Sequence, residues 1–271
     1  MRLTKSNSRE LTLLHALLHG DSGVGKTTSL GTLPVDSTLI VSVERGLMPL
    51  RHEPYHTVTA KSWGHLRELA QVFTDSRRAD DGSLTLTFEG EEVAGIKILA
   101  IDSLSEINEI CKRHIIQVER RALISERTDG HTDRVRGVYD DLMTVEDWNV
   151  LRTKMTGFVS AINHLPVHTI FTSLSDWKED KKTGSVMRTP ALNGKMALDC
   201  AAYFDLVMYM KSNDAGERVW QTSNTGAILA KDASAALEMY EETDWPSVFG
   251  KILGKPKTKT ETTKQAKGKG K

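Results

Sequence analysis

Gly20-Asp21-Ser22-Gly23-Val24-Gly25-Lys26-Thr27 is the stretch on which the reading of this chain turns. It fits the pattern G-x-x-x-x-G-K-[ST], in which each fixed letter has separate work to do against a polyphosphate. Gly20, Gly23 and Gly25 are expected to allow positive φ and to turn backbone N–H groups inward on phosphate oxygens, with Asp21, Ser22, Val24 and Thr28 completing the cradle. The Lys26 ammonium suits the β- and γ-phosphates, and the Thr27 hydroxyl suits Mg²⁺. The flanks agree. Leu11–His19 is a short apolar run of buried-strand character, and Thr27–Leu33 is a short helix stopped by Pro34. A glycine-rich turn that binds nothing would need neither flank.

A triphosphate site of this kind needs a carboxylate at the end of a second buried strand. Lys97-Ile98-Leu99-Ala100-Ile101-Asp102 provides one, so Asp102 is the candidate metal ligand. The residue after it is Ser103, so a water-activating glutamate has to come from elsewhere. Glu44 closes another apolar run, Thr38–Val43, and a carboxylate there lies at the strand edge where α/β sheets bind ligands. It is the candidate general base. The competing reading is an exposed Glu44 paired with Arg45, a kind of contact that contributes little.

The P-loop through Thr28, Val43-Glu44 and Ile101-Asp102-Ser103 resemble the RecA-like recombinase core, and more closely phage-encoded, core-only RecA-like ATPases linked to single-strand annealing and recombination. Further matching stretches are Asp147-Trp148, Thr169–Ser173, Pro190–Lys195, Phe204–Tyr209 and Ala230-Lys231-Asp232, so the likeness spans about residues 10–235. It implies an α/β P-loop NTPase with a RecA-like, mainly parallel sheet flanked by helices. It also implies an ATPase that uses ATP and Mg²⁺, with Lys26 and Glu44 catalytic and Thr27 and Asp102 on the metal. The polar sensor of such proteins falls near Thr172, Ser173 or Leu174, depending on register. Lys231 stands where they can present a lysine to a neighbouring subunit, which implies a homo-oligomeric ring or filament. The same likeness implies action on single-stranded DNA in phage recombination or replication, alongside a single-strand-binding protein, in the cytoplasm of an infected bacterium. The alternative is a nucleotide-gated DNA- or protein-binding module with little turnover. A phosphate-transferring kinase is a third reading, but no arginine-rich lid follows the core.

RecA-like cores meet DNA through two loops. The first corresponds to Glu119–Arg136, with Arg120, Arg121, Arg127, Arg134 and Arg136 set among Glu119, Glu126, Asp129 and Asp133. That interleaving fits a solvated, salt-bridged surface as well as a DNA contact. The second is a hairpin over Asp176–Ser185 with its turn near Thr183-Gly184, offering Lys178, Lys181, Lys182 and Arg188 to phosphates. Trp177 is read as local core at its base, the other reading being a residue that stacks on a nucleobase. Tyr203, Phe204, Tyr209 and Trp220 are read as core.

Lys+Arg and Asp+Glu are both 36. Residues 251–271 hold eight lysines and one acid, Glu261, a charge of +7, which leaves 28 basic and 35 acidic side chains, or −7, for residues 1–250. The expected organisation is a core over 1–250 and a disordered lysine-rich tail over 251–271, too poor in apolar residues to offset its ordering entropy and able to hold phosphate backbones. Cys111 and Cys200 have no C-x-x-C spacing, which suits a reducing compartment. Met1–Ser6 lacks an apolar leader core, and no run reaches the length of a membrane span. Pro54 separates His52 from His56, and Pro166 separates His164 from His168, which argues against helical metal pairs.

Overall fold

The computed structural model describes residues 13–44, 46–119, 143–179, 184–213 and 215–254. In chain order these form β1 (His15–Gly20), α1 (Lys26–Leu30), β2 (Thr38–Ser42), β3 (His56–Thr59), α2 (Trp63–Thr74), β4 (Arg77–Arg78), β5 (Leu84–Phe88), β6 (Glu91–Ile96), β7 (Ile98–Asp102), α3 (Leu104–His114) and α4 (Val145–Asn163). After them come β8 (His168–Glu179), β9 (Val186–Pro190), α5 (Met196–Asp199), β10 (Leu206–Ser212), β11 (Arg218–Gln221), β12 (Lys231–Asp232), β13 (Tyr240–Glu242) and α6 (Trp245–Leu253).

Six strands run parallel in the order β10-β1-β8-β7-β2-β3, and β11 and β13 extend the β10 edge antiparallel. β12 pairs with the start of β10, and β9 folds back on the far end of β8. The expected α/β fold, a mainly parallel sheet flanked by helices, is the observed one. β8 stands between β1 and β7, so the strand that feeds the P-loop and the strand that ends in Asp102 are not neighbours.

Both faces of the sheet are covered, which is why its central strands read as unbroken apolar runs. One face presents Leu17, Leu39, Val41, Leu99, Ile101 and Phe171 to α2, α3 and α4. The other presents Leu18, Ile40, Ala100, Ile170 and Met208 to Leu30 and Leu33, and to Trp245 and Val248 of α6. Burying each large side chain contributes about 1.5–3 kcal/mol, so Trp245 and Val248 anchor α6 firmly to this face. Phe249 and Ile252 pack on the same cluster, and the helix therefore continues to Leu253, three residues beyond the boundary expected at 250.

Other boundaries moved for local reasons. Leu13 and Leu14 precede β1 rather than belonging to it, while residues 11–12 lie outside the described residues. α4 starts two residues before Asp147 because Thr144 is its cap. The Thr144 hydroxyl accepts from the Asp147 N–H, and the Asp147 carboxylate accepts from the Thr144 N–H, so Asp147 sits in the first turn. α3 is continued by a π-helical turn over Ile115–Glu119, beyond which residues 120–142 lie outside the described residues. β5 and β6 form a hairpin before β7, joined by β4 in a small separate sheet. Phe204, Tyr209 and Trp220 are buried, but Tyr203 is 37% exposed, because it ends a 3₁₀ turn rather than lying in a strand. Among the described residues, no helix is long and apolar enough to cross a membrane.

Candidate nucleotide site

β1 delivers Gly20 to the C-terminal edge of the sheet, and the loop from Asp21 to Gly25 leads directly into α1. Gly23 and Gly25 take the positive φ expected of them, +75° and +111°. Gly20 does not, and its requirement is space: a Cβ there would lie 2.8 Å from the Met210 carbonyl oxygen on the adjoining β10. Lys26 is buried, and its ammonium donates to the carbonyls of Gly20 (3.0 Å) and Asp21 (2.8 Å). Burial pulls its pKa below the ordinary lysine value, opposed by the negative charges of Asp102, Glu44 and Asp21. Ser22 and Thr28 are exposed, at the loop and on α1.

Asp102 ends β7 and is nearly buried, yet both of its carboxylate oxygens have partners. The Thr27 hydroxyl donates to Oδ2 at 2.7 Å and the Thr172 hydroxyl of β8 donates to Oδ1. Thr27 and Asp102 are thus brought together across 75 residues of chain. A hydroxyl beside a carboxylate is a hard-oxygen donor set, and Mg²⁺ is commonly held by one such carboxylate with the substrate's own phosphates completing its shell. These residues fit a Mg²⁺–triphosphate.

Glu44 follows β2 and is pinned to the same place. The backbone N–H groups of Val43 and Glu44 both donate to the Asp102 carbonyl, at 2.7 and 3.4 Å, and the Ser42 hydroxyl donates to the Glu44 carbonyl at 2.6 Å. The carboxylate Oε1 accepts from the Ser103 hydroxyl. Ser103 also caps α3 and lies 2.9 Å from the Ser105 hydroxyl, which accepts from the Leu174 N–H at 3.1 Å. Since the single Ser103 proton goes to Glu44, Ser105 is the donor between the two serines. A directed chain therefore runs from the end of β8 through Ser105 and Ser103 to Glu44. In the sequence Ser103 stands out only as the place where a glutamate is absent and Ser105 belongs to no motif; their signal is the N-cap and N2 positions directly after the strand.

The register of β8 against β1 places Thr172, Ser173 and Leu174. Leu174 lies opposite Gly20, Ser173 opposite His19, and Thr172 opposite Leu18. Thr172 is committed to Asp102, the buried Ser173 hydroxyl donates to the Leu174 carbonyl, and the side chain beside the loop is Leu174, 37% exposed.

A family described as the AAA domain matches residues 13–234. The chain belongs to that family. It is an AAA-type P-loop ATPase domain, and the match covers every residue placed in the site above. The comparison with curated proteins found no match.

Arg120, Arg121, Arg127, Arg134, Arg136, Lys181 and Lys182 lie outside the described residues, as do residues 255–271 of the tail. Lys178 is on β8, opposite Met187 of β9, so the expected hairpin is present. Trp177 is not core. It is 54% exposed, and the Arg188 guanidinium lies 4.3 Å from its ring centre, because at this point β8 has run past the helices that cover the sheet. The Lys231 ammonium donates within the chain, to the carbonyls of Ala201 (3.2 Å) and Phe204 (2.7 Å).

Proposed function

We propose that this domain binds ATP with Mg²⁺, hydrolyses it with Glu44 as general base, and couples that cycle to single-stranded DNA in the manner of RecA-like phage recombination or replication proteins. The observation that carries the nucleotide half is the convergence of Lys26, Thr27, Asp102 and Glu44 at one edge of the sheet, from three separate strand ends. When bound, Mg²⁺ would be held by Thr27 and Asp102 and would neutralise charge on the phosphates. Lys26 would exchange its two backbone carbonyls for phosphate oxygens, and Glu44, oriented by Ser103, would accept a proton from the attacking water. The DNA half is supported by the RecA-like motifs and by the lysine-bearing β8–β9 hairpin, whose Arg188 pairs with the P-loop residue Asp21.

A second reading, the nucleotide-gated binding module with little turnover, is favoured by one feature. Leu174 occupies the position beside the loop and the Thr172 and Ser173 hydroxyls are already committed, so where β8 passes the loop, Thr172–Leu174 offer the γ-phosphate no free polar side chain. The test is ATP binding and turnover by the full chain, by Lys26→Ala and by a chain ending at Gly254, each titrated with single- and double-stranded DNA. The leading reading expects Mg²⁺-dependent turnover that single-stranded DNA raises and Lys26→Ala abolishes. Nucleotide-dependent DNA binding without turnover supports the second reading, and failure of the full chain to bind ATP overturns both.

A further inference from the structure

β10 runs two residues past Met210, the partner of Gly20, to Ser212, and β11 returns from Arg218 opposite it. The tip of this hairpin therefore overhangs the P-loop. Its turn is tightly built. The Asn213 side-chain carbonyl accepts from the N–H groups of Ala215 (3.0 Å) and Glu217 (2.9 Å), and the Asn213 N–H donates to the Glu217 carbonyl at 2.7 Å. The Asn213 amide also donates to the Glu217 carboxylate at 2.9 Å, so the acid next to Arg218 is already engaged.

The guanidinium of Arg218 comes to rest on Gly25. A Cβ built on that glycine would lie 2.7 Å from Nη1, 2.9 Å from Cζ and 3.1 Å from Nε. Three atoms of the plane approach together, so the group lies along the loop rather than touching it with one nitrogen. The φ of +111° favours glycine at position 25, and the missing side chain leaves the guanidinium room to approach the loop backbone. Arg188, the other arginine beside the loop, is neutralised by Asp21. The Arg218 guanidinium has neither a hydrogen bond nor an ion pair among the described residues. An unneutralised, planar, permanently charged fork is thus set against a loop shaped for phosphates, and that fork matches phosphate oxygens two at a time.

We propose that Arg218 is a phosphate-contacting residue supplied in cis, holding the phosphate chain from the Gly25 side of the loop while Lys26 holds it from within. This rests on the nucleotide-binding reading above and names a ligand contact that the P-loop motif does not contain. The test is calorimetric titration of the full chain, Arg218→Ala, Arg218→Lys and Lys26→Ala with Mg²⁺–ATP and with Mg²⁺–tripolyphosphate, which has no base or sugar. Charge-assisted contacts are strong enough that Arg218→Ala should weaken both ligands at least about tenfold and by a common factor, with Arg218→Lys recovering part of the loss. Weakening of ATP with tripolyphosphate unchanged would make Arg218 a base or sugar contact and overturn the proposal. So would wild-type affinity for both ligands in an Arg218→Ala chain. If the wild-type chain binds ATP and Lys26→Ala does not, either result removes only the role of Arg218; if the wild type binds neither ligand, the nucleotide reading falls with it.

Discussion

The Asp21 carboxylate in the P-loop is held by the Arg188 guanidinium of β9 through two bonds, 2.6 Å to Oδ1 and 3.1 Å to Oδ2. Arg188 also covers Trp177, and its backbone bonds to Ala227 and Leu229 on its other side. The second residue of the phosphate loop is thereby tied to the base of the β8–β9 hairpin. Asp21 is half exposed, so solvent screens the pair, and its two-point geometry places it near the upper end of the range for surface pairs, about 1 kcal/mol. A double-mutant cycle with Asp21→Asn and Arg188→Gln, read by urea unfolding, should give that coupling at about 0.05 M salt and a smaller one at about 0.5 M. Zero coupling at low salt would mean the hairpin and loop are not linked through this pair.

Thr172 is expected to matter for metal rather than for nucleotide. Its hydroxyl donates to the Asp102 oxygen opposite the one that Thr27 occupies, and so fixes the carboxylate rotamer. Groups that orient a metal ligand typically cost about 10–100-fold when removed. Thr172→Val, close in volume, should raise the Mg²⁺ concentration needed for half-maximal nucleotide binding by about that factor, while binding without Mg²⁺ stays as in the wild type. A shift in metal-free binding as well would point to general distortion instead.

Glu44 and Ser103 are expected to separate chemistry from binding. Glu44→Gln should lower ATP turnover by about 10²–10⁴-fold while leaving ATP affinity within a factor of about two. Ser103→Ala removes the hydroxyl that orients Glu44 and also the cap of α3, which alone costs about 1 kcal/mol of stability. Ser103→Thr keeps both hydrogen bonds possible, so it should restore kcat, and KM should hardly change in either variant. Parental turnover by Glu44→Gln would remove it as the base.

Much of this site could be read along the chain because its parts end continuous apolar runs. Thr38–Val43 and Ile98–Ile101 are buried on both faces, and the carboxylate that follows each, Glu44 or Asp102, is delivered to the ligand edge. What could not be read depends on which strands become neighbours. Thr172 reaches Asp102 only because β8 inserts between β1 and β7, and Arg188 and Arg218 reach the loop only through hairpins 167 and roughly 190 residues later in the chain. Trp177 looked like core because an aromatic between charged residues is usually buried, but β8 outruns the helices that would have covered it.

His19, directly before the P-loop, yields a pH prediction. It is fully buried, with Nε2 2.7 Å from the Leu229 carbonyl and Nδ1 2.8 Å from the Ser175 hydroxyl. A carbonyl only accepts, so Nε2 carries the proton and Nδ1 accepts from Ser175, a neutral ring with both nitrogens satisfied. Burial pushes the pKa down to about 4 from 6.5; the Leu229 carbonyl opposes this, and the charges of Lys26 and Arg188 add to it. The unfolded chain therefore binds a proton at this site between pH 6.5 and about 4 while the folded chain does not. The stabilising contribution is complete above 6.5 and is lost as pH falls through that window, with a ceiling on the order of 3 kcal/mol. His19→Gln keeps a donor and an acceptor but cannot titrate. Urea unfolding at about pH 7.5 and about pH 4.5 should show wild type losing more stability than His19→Gln by one to a few kcal/mol, the carboxylates common to both chains cancelling in the comparison. Equal losses would mean that His19 is not held neutral in the fold.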